Sequence, residues 1–140
     1  MIRPTKQEIT LIEPYWLAGF STGECSFTVS QYFRNDKLVI KSIFQLSQLD
    51  RDTELLKLIS KYLGTGNLYP DKGDMMRLMV QSYNDCFNLI IPFFDKYPVL
   101  GDKAKHYQIW KEIVLLLNNK AHKTPDGIKK ILELKKLLNK

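Results

Sequence analysis

The sequence predicts an α+β domain, a four-stranded antiparallel sheet with helices on one face, in the order helix, hairpin, helix, hairpin, helices. Three observations carry this. Apolar and polar residues alternate from Ser26, broken at Gln31, and over 38–48 an apolar face of Leu38, Ile40, Phe44 and Leu46 keeps to alternate positions beside a mixed one, the period of a half-buried strand. Leu55, Leu56, Leu58, Ile59, Tyr62 and Leu63 recur instead at helical spacing, as do apolar residues over 102–118 and 128–138. The turn-rich stretches Arg34-Asn35-Asp36-Lys37 and Pro70-Asp71-Lys72-Gly73 stand where two hairpins would reverse. Alternating strands bury one face only, so helices segregate to that face and the other stays open.

Glu13-Pro14 sets the first turn of a helix over 14–23, because proline is tolerated there. At 100° per residue, Ala18, Gly19, Thr22 and Gly23 share one side, with Trp16, Leu17 and Phe20 on the other. Two glycines inside a helix cost roughly 1 kcal/mol each relative to alanine, so the bare side predicts close approach by a second helix. Glu24 then stands where helix becomes strand. In the first hairpin Phe27, Val29 and Phe33 point one way and Thr28, Ser30, Tyr32 and Arg34 the other, with Gln31 as the odd polar residue on the apolar side, a signal for a bulge or an early loss of burial. The returning strand turns Leu38, Ile40, Phe44 and Leu46 inward and Val39, Lys41, Ile43 and Gln45 outward.

Asp52 is the expected N-cap of the next helix and Gly64 its stop. Residues 66–69 and 75–81 form the second hairpin. A helix starting near Asn84 or Asp85 carries Phe87, Ile90, Phe93 and Phe94, with Pro92 expected to kink or end it. An amphipathic helix over 102–118 follows, and Thr124-Pro125 pairs an N-cap with an N1 proline to start the last one.

A chain of 140 residues that is 44% hydrophobic can build one core and is too short for two domains, so residues 1–140 are read as a single domain. A net charge of +6 calls for an acidic partner, either nucleic acid or an anionic membrane surface. No run approaches the ~20 apolar residues of a membrane span, and residues 1–8 resemble neither a signal nor a transit peptide, so the chain is expected to be soluble with no membrane partner. Cys25 and Cys86 lack metal-ligand spacing, and neither a Gly-rich phosphate loop nor a serine-triad pattern is present. His106 and His122 have no partner pattern.

The run Leu17-Ala18-Gly19-Phe20-Ser21-Thr22-Gly23-Glu24-Cys25 resembles the LAGLIDADG motif of the homing endonucleases, in the variant with Glu as the penultimate acid. Thr22 replaces the motif's first acid and Cys25 its final glycine. The resemblance implies two such helices side by side, each ending in an acid that holds a divalent cation, Mg²⁺ or a similar ion, at a DNA phosphate. Glu24 stands in that position, with the backbone carbonyl near Gly23 as a further ligand. Gln48 aligns with the residue that orients the attacking water. Lys103 resembles the active-site lysine, and Lys105 is its competitor.

The outward strand residues Thr28, Ser30, Tyr32, Arg34, Lys41, Gln45, Tyr69, Arg77 and Gln81 would read double-stranded DNA, since a β-ribbon fits the major groove. Val39 and Ile43 would meet thymine methyls. Ten lysines against four acids over 101–140 would follow phosphates. One motif cannot supply two acids, so Ala18, Gly19, Thr22 and Gly23 would form the interface of a homodimer on a near-palindromic site, giving a metal-dependent double-strand cut. The alternatives are an RNA-splicing maturase with RNA as partner, or a non-catalytic DNA-binding half of a split, engineered or longer two-motif protein. The resemblance implies an intron-encoded protein of a mitochondrion or chloroplast.

Overall fold

The computed structural model describes residues 11–139; the reading of residues 1–8 lies outside them. Helix α1 (Pro14–Glu24) leads into strands β1 (Cys25–Arg34) and β2 (Lys37–Leu49), then helix α2 (Thr53–Leu63) and strands β3 (Asn67–Pro70) and β4 (Met75–Val80). Helix α3 (Tyr83–Asp85), a π-helical turn (Cys86–Ile90), α4 (Ile91–Lys96), α5 (Asp102–Asn118) and α6 (Pro125–Leu138) complete it. The four strands pair antiparallel in the order β1-β2-β4-β3, as the α+β reading expects.

The first hairpin closes through Asn35 and Asp36, both with positive φ (52° and 62°), the two-residue turn whose twist matches the strands. Register places Phe27 opposite Phe44 and Cys25 opposite Leu46 on the inner face. No bulge forms at Gln31. It pairs with Ile40 and its side chain accepts from Lys135 Nζ of α6 at 3.1 Å, so the odd polar position lies where the core ends. Phe33, expected to point inward, is 75% exposed because the hairpin tip runs past the helices.

The core lies between the inner sheet face and the helices. Phe27 stacks among Phe44, Phe94, Tyr107 and Trp110, with ring centroids 5.0–5.7 Å apart. Trp110 is fully buried, and its indole N–H donates to the Thr28 carbonyl at 3.1 Å, pinning α5 to β1. Gly64 ends α2 with φ +81°, as its position predicts. Asp52 occupies the N-cap position but makes no side-chain cap bond, and a 3₁₀ turn (Asp50–Asp52) precedes the helix. Thr124 caps α6 by accepting from the Gly127 N–H at 3.1 Å.

The helix expected to start near Asn84 starts at Tyr83, capped by Ser82, and Pro92 does not end it. The π-helical turn before Pro92 shifts the bonding so that the Ile91 N–H reaches the Cys86 carbonyl, and the wider turn accommodates a residue that has no N–H to donate. Among the described residues no helix is long and apolar enough to cross a membrane.

Candidate nucleic-acid interface

Three residues far apart in sequence meet at the foot of α1. The helix is capped by Glu13, whose carboxylate accepts from the Tyr15 and Trp16 N–H groups at 3.1 and 2.8 Å. It ends at Glu24, and Cys25 turns directly into extended backbone. Glu24 is exposed at this junction. The Gln48 amide, near the far end of β2, donates to Glu24 Oε2 at 3.2 Å and to the Ser47 carbonyl at 2.8 Å, which restrains the carboxylate from one side. Lys103, in the first turn of α5, donates to the Cys25 carbonyl. Lys105 instead lies at the surface, 3.8 Å from Asp102, so Lys103 is the lysine that reaches the junction. The neighbouring Cys25 thiol is buried, which pushes its pKa up to about 12 and keeps it a neutral packing group.

A hard divalent cation takes oxygen ligands, and Glu24 offers an exposed carboxylate where one would be bound. Among the described residues no group of three or more His, Cys, Asp and Glu side chains converges. Glu24 is thus the carboxylate at this junction that is open to such an ion.

The outer side of α1 is open. A Cβ built on Gly19 or Gly23 meets nothing within 4 Å, so none of the described residues uses the approach those glycines allow. Trp16 is 42% exposed and stacks on Phe20 at 5.0 Å, beside the exposed Tyr15. Of the four residues expected to share a pairing face, Gly19 and Gly23 are open, whereas Ala18 is buried and the Thr22 hydroxyl is engaged within the chain. It donates to the Ala18 carbonyl at 2.9 Å and accepts from the Leu100 N–H at 3.2 Å. The open stripe is thus turned toward Trp16, Gly19, Phe20 and Gly23. Leu17, expected beside Trp16 and Phe20, lies in the core.

The register puts Thr28, Ser30, Tyr32, Arg34, Lys41, Gln45, Tyr69 and Arg77 on the outer face of the sheet, with Gln81 continuing that face beyond β4. Rows run across it: Thr28 beside Ile43, Ser30 beside Lys41, and Ser47, Arg77 and Tyr69 in line. Lys41 Nζ lies 5.6 Å from the Tyr32 ring centroid. The Arg77 Nε is buried without a hydrogen-bond partner. Ser26, Ser47 and Asn67 share this face and were missed, although strand alternation marks them as plainly as it marks Thr28. Ile43 and Met79, each 9% exposed, form an apolar seam among these polar groups.

Comparison with known proteins bears on this arrangement. A family model described as LAGLIDADG endonuclease matches residues 17–114. A "Probable intron-encoded endonuclease 3" of Neurospora crassa is 35% identical over 86% of this chain, which spans only 23% of that protein. The solved structure of I-SmaMI bound to an uncleaved DNA target in the presence of calcium ions matches with a TM-score of 0.92 and 33% identity, over 100% of this chain and 49% of that one. The homing endonuclease I-TnaI matches with a TM-score of 0.86 and 25% identity, over 92% of this chain and 89% of that one.

Proposed function

Because the chain belongs to the LAGLIDADG endonuclease family, we propose that it is a site-specific DNA endonuclease subunit that lays its open sheet face on duplex DNA and cuts both strands as a pair of motif helices. The observation that carries this is the meeting of Glu24, Gln48 and Lys103 at the foot of a helix whose two glycines, Gly19 and Gly23, leave an approach that none of the described residues fills. Two such helices in parallel would come closest at Gly23 and diverge toward Trp16, which brings two copies of Glu24 together.

Glu24, with the backbone carbonyl near Gly23, would hold the divalent cation. When bound, the cation polarises the scissile phosphate and makes a bound water more acidic. Gln48 donates to one oxygen of the Glu24 carboxylate, and in this reading its amide would help to orient the attacking water. Lys103 is held at the junction by the Cys25 carbonyl, where its ammonium offsets negative charge that develops on the phosphate. Arg77, Gln45, Lys41 and Arg34 offer the donor groups that recognise guanine and adenine edges in the major groove. Thr28, Ser30, Tyr32, Tyr69 and Gln81 complete that surface.

Replacing Glu24 by Gln keeps the shape and removes the charge. Cleavage of a target duplex should be lost while binding persists; a Glu24→Gln protein that cuts at the wild-type rate would remove Glu24 from the mechanism.

Two arrangements supply the second helix. A homodimer is supported by the near-complete match to the I-TnaI chain, whereas half of a two-unit protein is supported by the match to about half of I-SmaMI. The mass of the protein on and off DNA separates them. The intron-encoded names among its relatives support an organellar origin.

A further inference from the structure

We propose that Tyr83, Lys120, His122 and Lys123 form a phosphate-binding corner that grips the DNA backbone beyond the base-reading face of the sheet. The inference rests on the reading of the open face as a DNA surface and adds a site on the helical flank.

The corner is a built turn. Between α5 and α6 the backbone of Lys120 takes φ +62°, the left-handed region that a residue with a Cβ rarely adopts. A short 3₁₀ turn (Ala121–Lys123) then folds tightly onto the start of α6. A Cβ on Gly127 would overlap the Ala121 carbonyl oxygen, so only glycine fits there. The Lys120 ammonium donates to the Tyr83 hydroxyl and lies 4.7 Å from the centroid of that ring. The His122 ring meets Tyr83 at 5.7 Å, and its Nδ1 is buried with no hydrogen-bond partner among the described residues.

Among the described residues neither Lys120 nor Lys123 has a carboxylate within ion-pair distance. Asp85, close to Tyr83 in sequence, is engaged by the Thr65 hydroxyl at 2.8 Å. Burial, together with Lys123 and Lys120, holds the His122 pKa below its ordinary value, a repulsion that a bound anion relieves. Tyr83 also removes much of the rotamer freedom that a surface lysine ordinarily loses on binding, so the ammonium is preorganised. A phosphoryl group matches the two ammonium groups, because its oxygens accept from both, with the His122 ring packed against Tyr83.

Position decides which phosphate. Tyr83 follows Gln81 by two residues and is flanked by Ser82 and Asp85, which line a hollow on the open face together with Lys41, Tyr69 and Met79. The corner therefore stands beside that hollow and not in it, and a duplex laid on the sheet would bring its backbone toward the corner, whereas free phosphate has no such constraint.

Lys120→Gly tests this cleanly, because glycine suits the left-handed backbone and removes the ammonium without straining the fold. Its thermal midpoint should equal or exceed that of the wild type. Its affinity for a mixed-sequence duplex and for a preferred duplex should fall by the same factor. The slope of log affinity against log salt should shrink by about 0.9 for each phosphate that the variant no longer neutralises. Lys123→Ala combined with it should deepen the loss. Wild-type affinity and slope in the double variant would overturn the corner. So would inorganic phosphate shifting the His122 NMR signals while Lys120→Gly leaves DNA binding untouched, which would assign the corner to a free anion. Wild-type protein that binds no duplex overturns the open-face reading itself, a result distinct from a wild type that binds steeply with salt and a variant that matches it.

Discussion

Ser21 buries a hydroxyl on the inner side of α1 with no hydrogen-bond partner among the described residues. A buried polar atom left unpaired costs about 1–3 kcal/mol, and alanine is also the better helix former. Ser21→Ala should therefore stabilise the protein by about 1 kcal/mol in denaturant titration, without touching Glu24. The two cysteines give a second expectation at this scale. Burial pushes both the Cys25 and the Cys86 thiol up to about 12, against 9.0 for a free thiol. Below pH 9 both states keep their protons and the thiols add no pH dependence. Above it the unfolded chain ionises first, so stability falls as pH rises from about 9 toward 12. Neither thiol should react with iodoacetamide at neutral pH until the protein is unfolded; rapid labelling of the native protein would contradict the burial. Of the site, Glu24, Gln48 and Lys103 were legible as motif positions, and the structure brings them to one junction. Ala18 and Thr22 were less so. Spacing on a helix tells which residues share a side, but the rest of the chain decides which side is covered, and here the Leu100 backbone claims Thr22.

Elements were legible wherever a local rule stood alone. Alternation predicted both strands of the first hairpin, Asn35 and Asp36 its turn, and Gly64 and Thr124 two helix limits. Pro92 was expected to kink or end its helix; it does not end it, because its effect depends on the hydrogen bonds of the preceding turn, which no single-residue rule describes. For α1 the same distinction yields a prediction. Gly19 is open to solvent and its absent Cβ would touch nothing within 4 Å, so Gly19→Leu should leave the fold intact. It should even favour the helix, since glycine costs about 1 kcal/mol relative to good helix formers. A second helix pressed against that face would meet the new side chain. We expect an unchanged or higher thermal midpoint, a lower mass by sedimentation and loss of double-strand cleavage. A variant that unfolds would mean that Gly19 serves this chain's own packing, and one that pairs as the wild type does would move the interface elsewhere.

At the scale of the whole molecule, the charge of +6 pointed to an acidic partner, and an open sheet face carrying Arg34, Lys41 and Arg77 gives that charge a surface. Among the described residues no group of three or more His, Cys, Asp and Glu side chains converges, and the motif supplies one acid, Glu24, per copy, so the second carboxylate that the proposed double-strand cut needs would come from outside this copy. The source of that carboxylate has a measurable signature. If two copies of this chain meet across a two-fold axis, a working pair needs Glu24 from both. Wild-type and Glu24→Gln chains, mixed and allowed to exchange at fixed total concentration, should then cut both strands in proportion to the square of the wild-type fraction. At equal mixing that leaves about one quarter of the activity. If the second acid comes instead from an unlike half, each working unit contains one copy of this chain and activity falls linearly, to about one half. Glu24→Gln keeps size, fold and DNA contacts, so the two proteins compete equally for partners and target. The shape of the mixing curve therefore reports how many copies of Glu24 a double-strand cut requires.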